Sequence, residues 1–195
     1  IQPQNYLTKS GFNQASFYSD LNASHRNLLG AEQLGWIKER VNSESFDWTI
    51  LGQQVLMTKL KFPDLTKMLK EEDIPEFLKP YLKFLGLGIP SNLDAWDGYP
   101  ADRNKLYDVM KKANKSFISL AGDTHNAWVS ELADAQGDKI GIELGTPSVS
   151  SPGITDAIKL DKTKFATEIV KMNSELNWMD PEHRGYLVLD FSEDQ

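Results

Sequence analysis

The chain has 195 residues, no cysteine, and 21 Lys and Arg against 28 Asp and Glu, for a net charge of −7. Its 40% hydrophobic and 25% charged content marks a globular chain rather than a disordered or collagen-like one, and the missing cysteines exclude disulfides and thiolate metal sites. The acidic balance gives no grip by charge on a nucleic-acid backbone, and no apolar run approaches the roughly 20 residues that span a bilayer. The sequence starts at Ile1 rather than at methionine, so a targeting segment upstream is compatible with it.

Residues 1–28 are polar and rich in Asn and Ser, with Tyr6, Phe12, Phe17 and Tyr18 scattered among them, and read as loop. Leu34, Ile37 and Val41 share one helix face. The β-branched and aromatic residues of Phe46–Leu60 read as a strand interrupted near Gly52. Residues 62–90 read as a helical insertion: Ile74, Phe77, Leu78, Tyr81, Leu82 and Leu85 follow a helical period that Pro75 and Pro80 cut into short pieces.

Asp94–Pro100 is a turn cluster, and a helix follows from about Ala101 to Asn114 with Pro100 at its start. Phe117–Ala121 reads as a buried strand, and strands at 127–133 and 140–144 flank Gln136-Gly137-Asp138 as a hairpin. A Ser/Pro loop, Thr146–Gly153, leads to a helix near Thr163–Met172, and Tyr186–Phe191 alternates as a last strand. Strands mixed with helices predict an α/β or α+β sheet.

The strongest chemical signal is the strand-to-loop junction Gly122-Asp123-Thr124-His125-Asn126. Side chains at i and i+2 of an extended segment project the same way, so Asp123 and His125 can converge beyond a strand end. A hard carboxylate oxygen and a borderline imidazole nitrogen suit a metal ion. A plain turn, with Asp123 capping it and His125 a satisfied polar residue, remains open on these residues. His25 and His183 sit in no ligand pattern, so a dinuclear centre from this chain alone lacks donors. Ser148, Ser150 and Ser151 have no neighbouring His and read as loop, and Trp96 and Tyr99 read as packing rather than a stacking platform.

Six segments in order resemble the PhoD-like alkaline phosphatases, a branch of the calcineurin-like metallophosphoesterases. They are Leu29–Trp36, Trp48–Val55, Asp94–Arg103 (D-x-W-D-G-Y-P-x-x-R), Gly122–Asn126 (G-D-x-H-[NS]), Glu143–Ser151, and Trp178 with Arg184-Gly185-Tyr186. The family's upstream G-D-x-x-D-Y and W-D-D-H-E blocks are absent, and Asn173-Ser174-Glu175 stands where N-P-H often occurs.

The resemblance implies a share of a four-layer αββα sandwich, with residues 1–195 its C-terminal portion, and hydrolysis of phosphomonoesters or phosphodiesters by a metal-bound hydroxide at a centre of iron and calcium. It implies Asp123 and His125 as late metal or phosphate ligands, Asn126 as a residue orienting the His or the substrate, and Trp96, Tyr99 and Arg103 as rim or, preferably, scaffold. It further implies small phosphate esters, phospholipids or nucleotide diesters as partners and a periplasmic or secreted location. As part of that sandwich, the chain is expected to be inactive alone and to leave residues 1–28 and one sheet face exposed or covered by a second copy as a homodimer. A non-catalytic binding module is the competing reading, and a mononuclear hydrolase using Asp123 and His125 a third.

Overall fold

The computed structural model describes residues 1–43, 46–74, 76 and 78–192. The polar N-terminal stretch holds more structure than its composition announces. A small antiparallel pair, β1 (Leu7–Thr8) and β2 (Gly11–Phe12), precedes helix α1 (Gln14–Leu21). Asn13 caps α1 by accepting from the Ser16 N–H at 3.1 Å, and Phe17 and Leu21, four residues apart, are its buried pair. They pack with Ile89 into a small apolar cluster that Tyr6 and Phe12 join. The loop reading of residues 1–28 is therefore corrected: one cap and two buried side chains suffice for a two-turn helix that has tertiary support.

Helix α2 (Gly30–Ser43) carries Ile37 and Val41 inward, as its periodicity predicts. In the proline-bearing region, single 3₁₀ turns at Leu65–Lys67 and Glu71–Asp73 precede helix α3 (Lys79–Leu85). Pro75 and Phe77 of the expected helical pattern lie outside the described residues. Helix α4 (Pro100–Ala113) begins at its proline and ends where Asn114 takes a left-handed φ of 51°. Short helix α5 (Ile154–Ala157) and longer α6 (Lys162–Met172) follow the Ser/Pro loop.

Five strands form one mixed sheet in the order β3 (Trp48–Gly52), β4 (Ser116–Ala121), β6 (Lys139–Gly145), β5 (Ala127–Ala133) and β7 (Leu176–Asp180). β3, β4 and β6 run parallel, and β5 lies antiparallel between β6 and β7. The 127–133 and 140–144 hairpin is present as expected. β7 was hidden in the sequence because its five residues alternate poorly and its pairing with β5 is tertiary.

The register sorts the sheet into two faces. Phe117, Ala121, Trp128, Leu132 and Met179 stand on one, where α2 and α4 cover one half and α3 and α6 the other. The second face carries a row of Ile50, Ile118 and Ile142 and a row of Leu120, Leu144, Val129 and Trp178. The two larger apolar clusters, which join the helices to the sheet, include none of these second-face residues, so no described helix packs on this face.

Tyr186–Phe191 joins no ladder, which corrects its reading as a strand. The Gly185 N–H donates to the Ser148 carbonyl at 3.3 Å near the end of β6, and the Phe191 ring meets Trp48 edge-on at 5.5 Å at the start of β3. The segment thus runs the length of the helix-free face, with Tyr186 83% and Val188 78% exposed. Its alternation describes extended chain, but a strand also needs a neighbour. Likewise Phe46–Leu60 is strand only at Trp48–Gly52; beyond it the chain leaves the sheet, and the N–H groups of Met57–Lys61 donate to side chains.

Candidate functional site

The loop between β4 and β5 lies at the carboxyl end of the parallel strands, the end where ligands gather in α/β sheets. The Thr124 N–H closes a tight turn on the Gly122 carbonyl at 2.7 Å. Asp123 and His125, the two side chains expected to converge, both hold left-handed backbone, at φ 64° and 59°. Neither is glycine, so each carries strain that its surroundings must enforce, a pattern found at functional sites.

The enforcement is visible. The His125 ring Nδ1 is 2.9 Å from the Pro152 carbonyl. A carbonyl only accepts, so Nδ1 carries the proton, and Nε2 of the neutral ring keeps a free lone pair. Asn126 is 2% exposed; its amide NH2 donates to the Thr124 carbonyl and its oxygen accepts from the Ile154 N–H at 3.2 Å. The Trp128 indole donates to the Thr124 hydroxyl at 2.6 Å. Gly153 is obligatory at this contact, because a Cβ there would meet Asn126 Oδ1 at 2.7 Å and the His125 carbonyl at 3.1 Å. Asn126 therefore locks the loop from beneath, while the exposed Asp123 carboxylate makes no hydrogen bond among the described residues.

Beside the loop is a cavity of about 380 Å3, with Asp123 and Asn126 on one side and Leu56, Thr58 and Leu60 on another. Its floor, residues 57–61, is held almost entirely by side chains. Glu143, fully buried, accepts from the Met57 and Thr58 N–H groups, from the Thr58 hydroxyl at 2.6 Å and from Ser119. Glu175 accepts from the Lys59 N–H, Asp97 from Leu60 at 2.8 Å, and Asn173 from Lys61 at 2.7 Å. Arg103 donates to the Met57 carbonyl and pairs with Asp97 at 2.8 Å. Burial pushes the Glu143 carboxyl above the usual range despite these donors, and it raises Asp97 against the pull of Arg103.

Trp96 and Arg103 are thus interior parts, 1% and 4% exposed. Tyr99 stacks under Arg26, whose guanidinium sits 4.9 Å from the ring centre and also donates to the Gly98 carbonyl. Asp102 accepts from the Leu28 and Leu29 N–H groups. The 94–103 block is scaffold that ties the N-terminal segment to the cavity floor. The serine loop is loop: Ser148 donates to the Ser151 carbonyl. His25 is exposed, and His183 pairs with Asp180 at 2.8 Å. Sequence reasoning missed Glu143, Glu175 and Asn173 as the clamp; a glutamate in the middle of an apolar strand is the one signal that pointed to it.

The chain matches the PhoD-like phosphatase family over residues 2–195. It belongs to that family. It is 27% identical over 168 residues to alkaline phosphatase D of Bacillus subtilis (strain 168), covering 84% of this chain and 24% of that protein. The solved structure entitled "Structure of PhoD" shares its fold, with a TM-score of 0.58 at 24% identity over 84% of this chain and 27% of the other. The chain spans about a quarter of the length of each.

Asp123 and His125 have the donor chemistry that iron and calcium accept, but a centre of four to six ligands needs more. Among the described residues no group of three or more His, Asp or Glu is placed to hold a metal ion. The residues present therefore do not make a complete site for those metals. No described helix is long and apolar enough to cross a membrane.

Proposed function

We propose that this chain contributes the Asp123–His125 end of a phosphoester-hydrolysing centre, the remaining metal donors coming from outside residues 1–195. One observation supports this reading: in a member of the PhoD-like family, the loop after β4 holds two residues in left-handed backbone, Asp123 on the cavity wall with a carboxylate that makes no hydrogen bond among the described residues, and His125 with only its Nδ1 engaged. Pro152 engages His125 Nδ1 and Asn126 ties the loop to Ile154, which leaves His125 Nε2 and the Asp123 carboxylate without a hydrogen-bond partner among the described residues. Asn126 acts as a positioning residue for that loop. On the same reading, residues 1–195 are the C-terminal portion of the catalytic domain with residues 62–90 an insertion, the metals are iron and calcium, the substrates are phosphate mono- or diesters, and the location is periplasmic or secreted.

The test is turnover of p-nitrophenyl phosphate by the purified 195-residue chain with iron and calcium supplied. No significant turnover is expected. Turnover abolished by Asp123→Asn would instead show that this chain completes a site by itself. A non-catalytic binding module is the alternative reading; phosphatase activity gained when the missing donors are supplied in trans would exclude it.

A further inference from the structure

We propose that the 380 Å3 cavity behind the Asp123 loop receives the uncharged, apolar organic group of a phosphoester and excludes its phosphoryl end. The proposal rests on the phosphoester reading above and assigns the two halves of the substrate to different places.

Size is the first argument: about 380 Å3 falls within the range of small-molecule sites. Chemistry is the second. Leu56, Leu60, Phe62, Trp128 and Ile154 supply carbon surface to the walls. Most polar side-chain atoms of the lining are already engaged, the Ser91 hydroxyl and the Asn92 NH2 being the exceptions among donors. The Thr58 hydroxyl donates to Glu143, the Trp128 indole to Thr124, and the Asn126 amide bridges Thr124 and Ile154. A ligand in this space thus meets few unpaired donors.

Charge is the third argument and decides which half enters. No Lys, Arg or His lines the cavity among the described residues, while two carboxylates do, Asp97 and Asp123. Asp97 is paired with Arg103, so the interior is close to neutral, and the unpaired charge is Asp123 at the mouth. A phosphoryl group inside would lose its water and find no cationic side chain to compensate, with only the neutral Ser91 hydroxyl and Asn92 amide as remaining side-chain donors. An uncharged ring or alkyl group has no such penalty. The floor is fixed in advance by Glu143, Asp97 and Asn173, so little ordering is left for the ligand to drive.

The experiment titrates the full chain with benzyl alcohol, benzylammonium and inorganic phosphate, following backbone amide resonances. Benzyl alcohol is expected to shift Leu60, Thr124, Gly153 and Ile154 saturably, and phosphate to leave them in place. Tyr81→Ala, at a half-exposed wall residue, and Ile154→Ala should each weaken benzyl alcohol threefold or more. Phosphate shifting these amides as strongly, benzylammonium binding more tightly than the alcohol, or unchanged affinity in both folded variants would overturn the proposal. Alcohol binding involves no hydrolysis. No phosphatase activity gained with the missing donors supplied in trans, beside saturable alcohol binding, therefore refutes the phosphoester reading alone, and gained activity without alcohol binding refutes the cavity assignment alone.

Discussion

Both carboxylate oxygens of Glu143 accept from the single backbone N–H of Met57, at 2.8 and 3.0 Å, across 86 residues of sequence. A side chain on the central strand β6 thereby does what a neighbouring strand would do for the segment that floors the cavity. Glu143→Gln turns one acceptor oxygen into an NH2 donor facing other donors. The expected loss is about 2–4 kcal/mol, because buried N–H groups are left unpaired. Urea denaturation measures it, and the amides of Met57 and Thr58 should exchange with solvent faster in the variant. A loss below 1 kcal/mol would show that the floor does not depend on this carboxylate.

Two carboxyl groups should give the pH dependence of stability opposite slopes. Burial raises the folded-state value of Glu143 above its unfolded one, so the folded chain holds its proton more tightly. Stability then falls as pH rises from the ordinary glutamate range near 4.3 through that raised value. At Asp180, burial pushes upward too, but donation from the Glu182 and His183 N–H groups and the His183 ring outweighs it and holds the carboxyl low. Its stabilisation is complete above the ordinary aspartate value near 3.9 and is lost as pH falls through the depressed one. Denaturant titrations between pH 3 and 7 should show the alkaline-side decline flattened in Glu143→Gln and the acid-side loss reduced in Asp180→Asn. Unaltered slopes in both variants would contradict the assignment.

The parts legible in the sequence were those whose signals are local. The apolar run of β4, the Gln136-Gly137-Asp138 turn and the period of α4 each lie within a dozen residues, and each appears where expected. The turn at Gly122–Asn126 was legible for the same reason, but the extended backbone expected to bring Asp123 and His125 together is replaced by left-handed backbone at both. Long-range relations were not. Phe17 and Leu21 make α1 a helix only because Ile89 is there to bury them. Residues 53–60 were read as strand because their composition suits one, yet their partners are Glu143, Asp97 and Glu175, all distant in sequence. Tyr186–Phe191 shows the converse: a correct alternation with no neighbour to make it a strand.

Gly153 separates a spacing requirement from a conformational one. Its backbone is extended, at φ −87°, which any residue adopts, so only the space is decisive. Gly153→Ala brings a methyl group to 2.7 Å from Asn126 Oδ1, and that oxygen is tied to Ile154. A destabilisation of about 1–3 kcal/mol is expected from overpacking. The resonances of Thr124 and His125 should move with it, since the loop must shift to admit the methyl. A variant with native stability and an unmoved loop spectrum would mean that the contact relaxes elsewhere.

Strain at Asp123 predicts a conflict between stability and function. Its φ of 64° disfavours a residue with a Cβ, and its side chain forms no hydrogen bond among the described residues that would offset this. Asp123→Gly removes the strain and the carboxylate together, although glycine also loses more freedom on folding. The folded state should keep its stability or gain up to about 1 kcal/mol, a rise in Tm of at most a few degrees for a chain of this length. Metal affinity measured by calorimetry should fall at the same time. Asp123→Asn, which tolerates left-handed backbone, should lose metal affinity without the gain in stability. A marked loss of stability in the glycine variant would show that the carboxylate supports the fold, and its place at the cavity mouth would then need a structural explanation.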